Sequence, residues 1–430
     1  MPKTFMPSFK DIEELKKHQL NGLRWTVAHA YQGSDFYRQK LDEAGVQPDG
    51  IQSLDDIQSL PFTTADDLRD GYPFALLSVP ESKLIRIHAS SGTTGKRKIL
   101  SYTRKDIDDW THFFARCYEM AGLGEEDRVQ IAVGYGVWTA GAGFQLGCEK
   151  FGAMALPVGP GNVDLQCQFL VDLQSTAMCC TASMGLLMAE EINRRNLKKE
   201  IALKKMIFGS ERSSDAMRKR IKDLLGLEDM FDIPGMTELY GPGTGLDCYK
   251  HEGIHYWADY FIVEVLDPTT LEPVPMGETG EMVVTTLCKE AAPLIRYRTR
   301  DLTRLIEHPC SCGNILPMHD RILGRSDDMI IFRAVNIYPG QIDQVLSTLP
   351  NASCEYQVHL DRKEDGKDHM SIRVECEEDF DQSRRPELVQ IIAEKIKNKI
   401  MVSADVEVVP YGTLPRSERK SKRFFDNRPD

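Results

Sequence analysis

The segment His88–Ser101 reads HASSGTTGKRKILS, and its centre, Ser90–Lys96, packs two serines, two threonines, two glycines and a lysine. Gly92 and Gly95 permit positive φ and let the backbone approach a ligand closely. The hydroxyls of Ser90, Ser91, Thr93 and Thr94, with exposed N–H groups beside them, can surround phosphate oxygens, and Lys96 adds positive charge. An ordinary surface turn is the plain alternative. The loop is not a Walker A motif, which keeps four residues between its first glycine and Gly-Lys and then requires Ser or Thr. Here only Thr93 and Thr94 intervene, and Arg97 follows the lysine.

Two further constellations carry chemistry. Cys310-Ser311-Cys312-Gly313 can turn two thiolates to one side, with Cys248, His251 and His255 upstream and His308 just before it. Three cysteines and one histidine would make a tetrahedral Zn²⁺ site. Reduced cysteines without metal are the alternative. The stretch Val133–Gly141, VGYGVWTAG, is rich in glycine and aromatic residues. Around Gly136, Tyr135 and Trp138 could flank a flat apolar acid, or simply pack in the core.

The elements that must position these groups show two grammars. Phe9–Ala44 has helical spacing of apolar residues among many charges. Short apolar runs then end in glycine, as Val129–Val133 before Gly134 and Met206–Phe208 before Gly209, and alternate with helical stretches such as Asp215–Leu225. That alternation predicts α/β layers with a largely parallel sheet. The tail differs: helices over Pro339–Leu349 and Pro386–Ile400, and strands over Tyr356–Leu360, Met370–Val374 and Val406–Val409. It reads as a separate small module.

At SSGTTGK the chain resembles the adenylate-forming superfamily, and along essentially its whole length it is similar to the phenylacetate–CoA ligase family. The resemblance implies a role for each matching segment. Gly209-Ser210-Glu211 would line the adenine. Asp232–Glu238 matches the family's Tyr-Gly-hydrophobe-Ser/Thr-Glu, with Thr237 facing the α-phosphate, Glu238 holding Mg²⁺, and Pro234 standing where a tyrosine is usual. A hard cation wants carboxylate and phosphate oxygens. Asp301, ending RYRTRD, would accept both ribose hydroxyls. In RILGRSDD, Arg325 would reach the nucleotide and Asp327 would be the pivot. In GTLPRSERKSKR, Lys420 matches the adenylation lysine, with Arg419 in place of the usual glycine and Lys422 close by. The aromatic stretch matches the aryl-acid pocket. For the metal, the match prefers Cys248, His255, Cys310 and Cys312, with His251 and His308 as alternatives.

The fold so implied is a large α/β N-terminal AMP- and acyl-binding domain with layered sheets and helices over 1–323, a hinge at 324–328, and a small mobile α+β domain over 329–430. The implied function is an ATP-dependent acid–CoA ligase that activates an aryl or small apolar, phenylacetate-like acid as its acyl-adenylate and passes it to CoA. ATP, Mg²⁺ and CoA, with a structural Zn²⁺, are the expected cofactors. The alternatives are an adenylating transferase with a non-CoA acceptor, of deazaflavin type or other, and a zinc-stapled binding protein without catalysis.

Bulk properties narrow the partners. A net charge of -12 disfavours nucleic acid. No stretch is long and apolar enough to cross a bilayer. The start, MPKTFMPSF, lacks an apolar signal core, so a cytoplasmic location is expected. Most of the eleven cysteines, such as Cys179 and Cys180, read as buried hydrophobes. The family resemblance suggests a homodimer.

Overall fold

The computed structural model describes the chain apart from residues 1–3, 91–96, 138, 212, 329, 334, 364–367, 417–421 and 429–430. Of the candidate site residues, Ser91, Gly92, Thr93, Thr94, Gly95, Lys96, Trp138 and Lys420 lie outside the described residues.

The amphipathic start folds as two helices, Ile12–Gly33 and Asp35–Glu43, whose first turns are capped by the side chains of Asp11 and Ser34. The first helix buries Leu15, Leu23, Val27 and Ala30, and Thr26 Oγ1 donates to Thr286 O at 2.7 Å, tying it to the strand Gly280–Thr286.

The apolar runs form a five-stranded parallel sheet in the order Met154–Leu156, Arg128–Ile131, Ala177–Thr181, Lys205–Gly209, Asp229–Asp232. Parallel strands need both faces covered. Helices including Arg104–Met120, Ala182–Arg194 and Asp215–Leu225 do this, and Cys179 and Cys180 are buried in the central strand. The last of these helices has the limits that its periodicity predicts.

The expectation of a largely parallel arrangement holds for this sheet alone. After Asp232 the strands turn antiparallel. One four-stranded sheet runs Phe261–Leu266, Gly280–Thr286, Tyr297–Thr303, Gly324–Arg325, and a second runs Gly245–Asp247, Ile254–Tyr256, Met318–His319, Leu305–Ile306. Hairpin connections such as 287–296, between Gly280–Thr286 and Tyr297–Thr303, turn the chain straight back beside itself, which only an antiparallel pair allows.

From Ile330 onward a second core appears. Helices Pro339–Leu346 and Arg385–Ile400 cover one mixed sheet in the order Asp405–Val409, Asp368–Cys376, Ala352–Arg362, Phe424–Asp426. Its apolar cluster, with Ile342, Val358, Ile372, Ile392 and Ile396 at its centre, is separate from those of the preceding chain. Among the described residues no helix is long and apolar enough to cross a membrane.

Candidate active site and metal centre

In open parallel sheets, ligands sit outside the carboxyl ends of the strands. Three of the candidate segments leave those ends. Gly134-Tyr135 follows Arg128–Ile131, Ser210-Glu211 follows Lys205–Gly209, and Pro234 follows Asp229–Asp232. Close packing holds the second and third together: a Cβ on Gly209 would lie 2.4 Å from Ile233 O. Ser210 takes φ +71° and is exposed, while Glu211 turns inward to accept from Ser183 N at 2.6 Å. Burial raises Asp232 to about 6, even with Arg218 Nη1 at 3.3 Å.

Thr237 and Glu238 stand on a turn and not at a helix start, where such a pair would serve as a cap. The turn is entered through Gly235 at φ +140°, and a Cβ there would meet Gly241 O at 2.5 Å. Glu238 is buried. Its carboxylate accepts from Tyr297 Oη at 3.1 Å and carries the Lys98 ammonium as an ion pair. The peptide carbonyls are pinned too: Tyr102 Oη donates to Thr237 O at 3.0 Å, and Lys289 Nζ to Glu238 O at 3.3 Å. Lys289 is fully buried over the rings of Tyr102 and Tyr240, and burial draws its pKa down to about 8.

Lys98, Tyr297, Tyr102 and Lys289 are not among the residues singled out above. Tyr297 lies inside RYRTRD and Lys98 inside GKRK, so both were within reach of the motifs. Nothing in the sequence near Tyr102 or Lys289 marks them. Ser90, at the edge of the phosphate loop, donates its N–H to Lys98 O at 3.0 Å, and its buried hydroxyl has no partner among the described residues.

Asp301 and Arg325 are opposed on neighbouring antiparallel strands. Arg325 Nη1 donates to Asp301 Oδ1 at 3.1 Å, while its Nε and Nη2 grip Asp327 at 2.9 and 3.0 Å. Three candidates far apart in function are thus one charged cluster. A bidentate guanidinium–carboxylate pair fixes both planes.

Tyr135 is half-buried. Its ring is wedged against Gly141, where a Cβ would lie 2.6 Å from it, and burial pushes its phenol up to about 12. Gly136 follows at φ +84° and is exposed.

The metal candidates converge. One ligand atom each from Cys248, His255, Cys310 and Cys312 lies within 4.8 Å of every other. Cys248 Sγ is 3.5 Å from Cys310 Sγ, and Cys312 Sγ is 3.4 Å from His255 Nε2. Zinc–sulfur bonds of about 2.3 Å would place tetrahedral ligands roughly 3.8 Å apart, so the donor set fits. His255 Nδ1 bonds Leu316 O at 2.8 Å, leaving Nε2 toward the thiols. Burial lowers the pKa of His255, favouring the neutral ring a metal needs. The alternative ligands are engaged elsewhere. His251 bridges Asp247 and Asp229, each at 2.8 Å, and His308 Nδ1 lies 3.3 Å from Pro309 O.

A family model described as AMP-binding enzyme matches residues 27–288, and another, AMP-binding enzyme C-terminal domain, matches 334–428. The chain is 40% identical to a phenylacetate–coenzyme A ligase of Escherichia coli strain K12, covering 97% of this chain and 96% of that protein. It is 38% identical to one of Pseudomonas putida, covering 97% and 95%. Among solved structures, 2-hydroxyisobutyryl-CoA ligase in its postadenylation state with the 2-hydroxyisobutyryl adenylate superposes with a TM-score of 0.89 at 27% identity, covering 97% of this chain and 90% of that one. The same ligase in its thioesterification state, with adenylate and CoA, gives 0.70 at 27% identity, covering 99% and 91%. With near full-length identity to these ligases and a matching two-part fold, the chain belongs to the phenylacetate–CoA ligase family of AMP-forming acid–CoA ligases, which join an acid to CoA at the expense of ATP through an acyl-adenylate.

Proposed function

We propose that the acid is aryl or small and apolar, phenylacetate-like, and that it is activated at the carboxyl ends of the parallel strands. The observation that carries this reading is the junction of the aromatic loop with the strand Arg86–Ala89 that leads into the phosphate loop, where Ala89 N donates to Val137 O at 3.1 Å. The relatives that bear the name phenylacetate–coenzyme A ligase favour CoA over any other acceptor.

A carboxylate is a poor electrophile, and its attack on the α-phosphate sets two anions against each other. Positioning and positive charge are therefore the main demands. In the first step the acid's oxygen attacks the α-phosphorus and pyrophosphate leaves. In the second, the CoA thiol attacks the acyl carbon and AMP leaves. Lys420 and Lys96 supply cationic charge, and Ser90–Gly95 cradles the phosphates. Mg²⁺, held on Glu238 beside Thr237, would neutralise phosphate charge. Ser210, Glu211 and Pro234 border the adenine. Asp301 takes the ribose hydroxyls, with Arg325 at the nucleotide's edge. Tyr135, Gly136 and Trp138 form the acid's wall.

The rest of the reading concerns movement and structure. The module over 329–430 turns against 1–323 about the hinge 324–328 at Asp327, so that Lys420 serves only the first step. The TM-scores of 0.89 and 0.70 support assigning this chain's arrangement to the adenylation side of that cycle. Cys248, His255, Cys310 and Cys312 hold a structural Zn²⁺, which with no open position would clip the loop between Leu305–Ile306 and Met318–His319 onto the second antiparallel sheet. A cytoplasmic homodimer completes the reading.

Pyrophosphate release with a panel of acids tests the substrate class: aryl and small apolar acids should lead, and preference for long-chain fatty acids would overturn it. K420A should lose adenylation while still converting preformed acyl-adenylate and CoA to thioester. Equal collapse of both steps would remove the role assigned to Lys420.

A further inference from the structure

Where the carboxy-terminal module meets the large domain, the contact is ionic. Glu190, on the helix Ala182–Arg194, accepts from Arg416 Nε at 3.1 Å and from the Tyr411 hydroxyl. Arg220, on the helix Asp215–Leu225, donates to Tyr411 Oη at 2.6 Å and to Glu377 Oε2 at 3.0 Å, and its Nε is 3.5 Å from Glu190. The Tyr411 ring is faced by two guanidiniums, with Arg220 at 4.7 Å and Arg416 at 5.2 Å from its centroid. Charge-assisted bonds of this kind are directional and strong for their size.

The module's half of this contact is built in advance. Glu375, fully buried, accepts from the backbone N–H groups of Gly412 and Leu414 and from Arg416 Nη2 at 3.0 Å. Tyr411 and Arg416 are therefore held as one rigid unit by their own module. Among the described residues, Glu190 and Arg220 are the ones that reach them from the other side.

Resting on the functional reading above, we propose that Glu190 and Arg220 are positioning residues for the adenylation step. They latch Tyr411 and Arg416 and so hold the module in the arrangement from which Lys420 reaches the phosphates. Arg416 stands four positions before Lys420, and a chain of that length spans roughly 14 Å at most. Fixing Arg416 therefore anchors the point from which the chain leads on to Lys420. Rotation toward the thioester-forming arrangement must break the Glu190 and Arg220 contacts but leaves Arg416 on Glu375. A contact made in only one of two states biases the equilibrium by its own differential free energy.

The test compares the two half-reactions in the full-length protein: ATP–pyrophosphate exchange with an accepted acid, and thioester formation from preformed acyl-adenylate with CoA. E190Q and R220M should lower exchange about ten- to a hundredfold, the loss expected for one or two charge-assisted hydrogen bonds. Thioester formation should stay unchanged or quicken. Y411F, which keeps the ring, provides a milder lesion should E190Q fail to fold. Equal loss in both half-reactions, or no loss in exchange, would overturn the latch. Wild-type protein that exchanges pyrophosphate with no acid would instead overturn the functional reading, and is distinguished because it precedes any variant.

Discussion

The Lys98 ammonium rests on the Glu238 carboxylate, so a cation of the protein's own occupies the acceptor that magnesium is proposed to use. Lys98 is mostly buried and Glu238 nearly wholly so, and a buried carboxylate needs a counter-charge. Removing the lysine leaves Tyr297 as the remaining partner described at that carboxylate. K98M should lower stability by about 1–3 kcal/mol in chelator. Added Mg²⁺ should restore much of it, with a larger melting shift than in wild type. Thermal unfolding across a magnesium titration measures both; an identical shift in variant and wild type would show that Lys98 and the ion do not compete.

Gly235 sets the turn that delivers Thr237 and Glu238. Its φ of +140° and the 2.5 Å approach of Gly241 O leave no room for a Cβ. G235A should cost about 1–3 kcal/mol of local strain and depress pyrophosphate exchange more than it lowers the melting temperature. Circular dichroism melting beside the exchange assay separates the two effects.

Elemental analysis of protein purified without chelator should find about one zinc per chain, as a closed four-ligand site requires. C310S and H255A should lose the metal and melt lower. H251A should keep it, because His251 is committed to Asp229 and Asp247.

That commitment has a pH signature. Hydrogen bonds from His251 to Asp229 and Asp247 raise its pKa to about 9, above an ordinary value of 6.5. Arg218 also reaches Asp247, at 3.3 Å, and shares the same carboxylate. The group binds a proton more tightly folded than unfolded, so its stabilisation is full below about pH 6.5 and fades as pH rises through about 9. The melting advantage of wild type over H251Q should be largest near pH 6 and nearly gone by about pH 10. A difference that grows toward alkaline pH would mean the imidazole is not held as a cation.

Legibility in the sequence follows the range of each interaction. The helix Asp215–Leu225 and the strand Lys205–Gly209 could be read because their patterns repeat over a few residues. The order of SSGTTGK, the Thr237-Glu238 segment, Asp301 and Arg325 carried the chemistry for the same reason: each is a short local stretch whose glycines, hydroxyls or carboxylates keep their use wherever the chain runs. The antiparallel sheets after Asp232 were not foreseen, because pairing partners such as Asp301 and Arg325 depend on connections whose path has no local pattern.

Everything that joins distant residues waited for the tertiary structure. The residue types named three cysteines and three candidate histidines, but only the fold turned His255, and not His251 or His308, toward the thiols. Lys98 on Glu238, the paired carbonyl anchors Tyr102 and Lys289, and the Glu190–Arg416 contact belong to the same class. Chain order alone determined which reaction the protein is equipped for. Which charges face one another was decided by packing, since charges are largely screened beyond about 8–10 Å and only the folded path brings such groups nearer than that.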